Sequence, residues 1–183
     1  MVVTVGSGTS GSGGLVQAHA GRSTVHTGGE VHVSSGEGTA TSSGAITIRS
    51  VNAGAAGTSG YLSFSSGSSV TGNSGYIHMG TGVATAGRGG MVLISVGSGT
   101  SSVGGMVQAH AGRSTVHTGG AVVVTSGEGT ATSSGVVLIR SSNSGEAGVS
   151  GSLLFSSGTS KTGNSGRVHM GTGAATAGRG GAV

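Results

Sequence analysis

The chain has 183 residues, of which 43 are glycine, none is cysteine or proline, and 7% are charged, with a formal net charge of +4. Without cysteine there is neither a disulfide framework nor a thiolate site. The thin charge and the four aromatics (two Tyr, two Phe) leave no basic run and no base-stacking platform, and no apolar run approaches the ~20 residues of a membrane helix. Glycine and serine richness is the composition of flexible linkers, but the charge is too low for charge-driven disorder and the aliphatics recur at fixed positions.

The opening MVVTVGSG has no basic n-region and no apolar h-region, so no signal peptide is read in this segment. Along the chain, VQAHAGRSTVHTGG occurs unchanged at 16–29 and 107–120, an offset of 91. Six units ending in glycine fill the first half: MVVTVGSGTSGSGG, LVQAHAGRSTVHTGG, EVHVSSGEGTATSSG, AITIRSVNAGAAGTSG, YLSFSSGSSVTGNSG and YIHMGTGVATAGRGG. The second half repeats them in the same order, so twelve units follow one another with a period of 15, and one unit per half has 16 residues.

With columns numbered from the residue after each terminal glycine, column 2 carries Val16, Val31, Ile46, Leu62, Ile77 and their later equivalents, and column 4 carries Val3, Val33, Ile48, Phe64 and Met79. Columns 1, 3 and 5 are mixed. This period-2 alternation predicts a short strand with one buried face. Columns 8 to 12 predict a second strand, with small residues such as Gly8, Gly38 and Ala84 facing inward. Glycine at columns 7 and 15 predicts corners of positive φ. The expected fold is all-β: a two-sided parallel β-solenoid of about twelve coils of 15 (twice 16) residues, with no helix and a core of stacked aliphatics. The expected organisation is a single solenoid domain over 1–183, made of two super-repeats at 1–90 and 91–181.

Chemistry-bearing clusters are scarce. His19 and His32, one coil apart, are too few for a zinc site that needs four converging ligands. The carboxylates are Glu30, Glu37, Glu128 and Glu146, with no aspartate, and no acid–base pair can be drawn. GTGVATAGRGG lacks the GK[ST] and the following helix of a phosphate loop. The sequence therefore predicts no catalytic, cofactor-binding or metal residues, no cofactor, and a chain that is not an enzyme.

One polar column stands out: Thr9, Thr24, Thr39, Thr85, Thr100, Thr115, Thr130 and Thr176 fall in column 10, and Thr41 and Thr132 complete two Thr-X-Thr units. Here the chain resembles the β-solenoid ice-binding proteins, and the resemblance implies a flat threonine ladder that orders water. A closer resemblance, carried by the SGTATSSG and GNSG units, is to the tandem Gly/Ser/Thr-rich repeats of long predicted cell-surface proteins of microalgal type. It implies a structural or adhesive role at the cell surface or outside the cell. Met1 stands where the repeat expects a column-2 aliphatic, so the segment reads as a piece of a longer array with its own start codon.

In the second half, column 3 turns aliphatic at Leu93, Val123, Leu138 and Leu154, which predicts a lateral contact. The functional expectation is a non-enzymatic structural repeat module, a stiff rod or fibre segment of a larger extracellular or cell-surface protein, with ice binding as the alternative. Expected partners are other copies, end to end or side by side, and ice or an extracellular matrix surface; nucleic acid and membrane insertion are not expected.

Overall fold

The computed structural model describes residues 2–183, and among them there is no helix and no strand. The parallel β-solenoid, and with it the β-helix and the fibre built from stacked coils, is thereby corrected: no ladder of hydrogen bonds joins one unit to the next. The resemblance to the two solenoid families fails on the same finding.

The repeat nevertheless governs the backbone. In the unit Met1–Val92, bends lie at 9–11, 24–26, 39–41, 55–57, 70–72 and 85–87. In the unit Leu93–Val183, they lie at 100–102, 115–117, 130–132, 146–148, 161–163 and 176–178. Each ends three residues before the terminal glycine of its repeat, so the extra residue of the 16-residue repeats is taken up ahead of the bend. The bends occupy columns 10 to 12, where the second strand was expected.

Every repeat is thus an arm (columns 1 to 5) followed by a loop. In six repeats the column-15 glycine closes the loop by donating its N–H to the column-7 glycine carbonyl, from Gly14 to Gly6 (3.1 Å), Gly29 to Gly21 (2.8 Å) and Gly44 to Gly36 (2.9 Å), and likewise at Gly105, Gly120 and Gly135. The 16-residue repeats use a tighter turn, in which the Gly57 N–H donates to the Gly54 carbonyl (3.2 Å) and the Gly148 N–H to Gly145 (3.4 Å). Serine hydroxyls also fix bends inside two of these glycine-closed loops: Ser23 Oγ accepts from the His26 N–H at 2.9 Å, and Ser114 Oγ accepts from His117 at 2.8 Å. This is the local turn chemistry of serine, satisfied without any neighbouring unit.

The corner glycines do not work as the sequence suggested, because no described glycine has a positive φ. Close approach is what requires them. A Cβ at Gly38 or Gly129 would overlap the carbonyl oxygen of Ser42 or Ser133 inside the bend, and one at Gly29 would meet the Gly21 nitrogen at 3.0 Å. Contacts that leave no room for a methyl group select glycine as firmly as a left-handed backbone does.

What is missing is a core. None of the described residues is buried, and all but Gly38, Gly129 and Ser141 are exposed. For a chain of 17.0 kDa a collapsed monomer exposes about 7,700 Å² and an unfolded one about 25,000 Å²; this chain exposes 18208 Å². The cause lies in the loop columns. A coil whose second face is Gly, Ala and Ser offers the arm aliphatics little apolar area, at ~25 cal/mol per Å². Ordering each residue costs about 1–2 kcal/mol, and glycine loses the most freedom of all. The stacking term does not meet that cost, and the arms stay unpaired.

Candidate functional site

All ten threonines of the expected ladder, Thr9, Thr24, Thr39, Thr41, Thr85, Thr100, Thr115, Thr130, Thr132 and Thr176, lie at bends. The sheet that would hold them in one flat face is absent, so the reading of the chain as an ice-binding β-solenoid falls with it. Their positions belong to loop formation, beside the serines that fix the bends.

The four residues of the expected lateral contact, Leu93, Val123, Leu138 and Leu154, lie in arms and are 73–85% exposed. Their neighbours at column 2, expected inside, are exposed too: Val92 at 52%, Val137 at 48% and Leu153 at 50%. Exposure still alternates weakly along the arm, as at Leu153, Leu154 (85%) and Phe155 (62%). The side chains of an arm therefore project in alternating directions, as those of a strand do, with no partner on any side.

The arm backbone is equally unengaged. Every backbone–backbone hydrogen bond among the described residues joins loop glycines, and every side-chain hydrogen bond involves a loop residue. Among the described residues, no backbone N–H or C=O of columns 1 to 5 takes part in a hydrogen bond within the chain. Sequence reading missed these positions as a surface because alternation looks the same in a buried strand and in an unpartnered arm.

A recess of ≈ 230 Å³ lies over Arg140, Ser141, Ser142 and Asn143. Four consecutive residues around an open recess form a curve of the chain, below the ~300–1,000 Å³ of ligand pockets. Among the described residues no group of three His, Cys, Asp or Glu side chains could hold a metal ion, and no helix is long and apolar enough to cross a membrane.

No protein-family model matches the chain, and neither a curated protein nor a solved structure is similar to it.

Proposed function

We propose that the chain is a non-catalytic, multivalent contact segment, in which each arm is one of many near-equivalent apolar sites presented in water. The observation that carries this reading is the coincidence of an intact 15-residue period with side chains that are nowhere buried. A period maintained by bends, without a core, keeps the arms at equal intervals along the chain and leaves them open. Catalysis needs a nucleophile, a base and an orienting group held together, whereas the histidines and carboxylates here are dispersed over several arms and loops.

Multivalency makes such an array effective although one arm is weak, since each contact after the first forms at high local concentration. An extracellular or cell-surface setting belongs to the same proposal. A chain with this much exposed aliphatic surface is a substrate for chaperones and proteases inside the cell.

The test is retention on an alkyl-derivatised matrix of the full chain and of a full-length variant with the aliphatics of columns 2 and 4 in every second arm changed to serine. The variant keeps half of the apolar arms, and avidity predicts that its retention falls by about tenfold or more, far below half. Equal retention of the two would show that the arms are not contact sites and overturn the reading.

A further inference from the structure

Four of the six arms in the second half of the chain differ from the rest in being aliphatic on both sides. Residues 91–94 read MVLI, 121–124 AVVV, 136–139 VVLI and 152–155 SLLF. None of these four-residue stretches carries a charge or a glycine, Arg140 following the third at column 5, and their backbone groups have no partner within the chain. Four uncharged, β-branched or bulky segments with free hydrogen-bonding edges are templates for strand addition.

We propose that these arms pair with the equivalent arms of a second copy of this chain, forming intermolecular β-contacts that the monomer lacks. The proposal rests on the multivalent reading above and names its partner.

Three observations select a second copy. The first is spacing. A partner engaging these arms together must carry apolar segments at intervals of 30, 15 and 16 residues, as from Val92 to Val122, Val137 and Leu153, and another copy carries those intervals at the same places. A parallel copy displaced by one repeat would bring a 15-residue interval against the 16. The extra residue lies in the loop, so such a copy must absorb a one-residue mismatch there to bring the next pair of arms into phase. The same-residue register escapes that conflict, so the 16-residue repeat acts as a register mark.

The second is charge. A net charge of +4 over 183 residues, with Arg140 the one charge in these four arms, sets little repulsion against the approach of an identical chain. The third is area. The chain exposes 18208 Å², about 10,000 Å² more than a collapsed monomer of its mass. A stable interface needs about 1,600 Å² in total, which a few paired arms supply.

Sedimentation equilibrium over a wide concentration range, with amide I infrared spectra of the same samples, tests the inference. The full chain is expected to gain mass with concentration and to gain the infrared signature of intermolecular strands in step. Changing Leu93, Val123, Leu138 and Leu154 together to serine is expected to raise the concentration needed for association by about tenfold or more. As a control, serine at Val25, Val103, Val116 and Val149, exposed aliphatics outside the arms, should leave association unchanged. A full chain that stays monomeric overturns the inference, as do equal effects of the two variants, which would indicate undirected stickiness. A chain held by the alkyl matrix yet monomeric at all concentrations would sink self-pairing and leave the multivalent reading standing.

Discussion

Scanning calorimetry of the dilute chain is expected to show no cooperative heat-absorption peak. A globular domain of this length absorbs about 130 kcal/mol at its midpoint, at ~0.7 kcal/mol per residue. That heat comes from disrupting packing and hydrogen bonds in a chain that hides about 70% of its unfolded surface. Here the hidden share is about a quarter, judged from 18208 Å² exposed against the unfolded area expected for the mass. The loop closures are local and independent of one another, from Gly6–Gly14 in the first repeat to Gly127–Gly135 in the ninth. Each opens alone, so heating produces a gradual slope and at most about a tenth of the globular enthalpy. A sharp peak on the order of 100 kcal/mol would require a packed state.

Trypsin is expected to cut all eight basic sites on a common time scale. Arg22, Arg49, Arg88, Arg113, Arg140, Lys161, Arg167 and Arg179 are each exposed, and they fall in arms, loops and one bend, at Lys161. Proteases act on backbone that can be drawn into an extended conformation, and a packed fold confines cleavage to its loop tips. Where neither arm nor loop is buried, no site is spared. Time-resolved mass spectrometry of the digest should show cleavage rates spread over no more than about tenfold, set by local sequence. A resistant fragment covering several repeats, for instance one intact across Arg113 and Arg140, would contradict this.

The period was fully legible in the sequence because it is written in glycine. Gly21 and Gly29 stand where a loop must close, and the structure closes it there. Pairing was not legible. Alternation at 30–33 or 45–48 requires only that successive side chains project to opposite sides, and an unpartnered arm does that as a strand does. The loop columns misled for a related reason. Gly38 and Gly129 are small as inward-facing strand residues would be, but their smallness answers the carbonyl oxygens of Ser42 and Ser133 inside a bend.

The threonines at 39 and 41 look like a β-face by propensity alone, yet they flank the tip of that bend. A usable signal for the bends was present at Ser23 and Ser114, since serine three residues before the acceptor's amide partner is a local turn former. The candidate surface escaped because its column-2 members, Val137 and Leu153 among them, were assigned to an interior that does not form.

Amide hydrogen exchange on the dilute monomer probes the absence of a core most directly, because it reads every arm separately. The amides of Val31, Val33, Ile46, Ile48, Val122 and Val124 should exchange at the rates of an unstructured peptide, with slight retardation confined to loop-closing amides such as Gly29, Gly44, Gly120 and Gly135. Protection of the arm amides by about a thousandfold or more at concentrations where the chain is monomeric would reveal a hydrogen-bonded, packed chain and contradict the account.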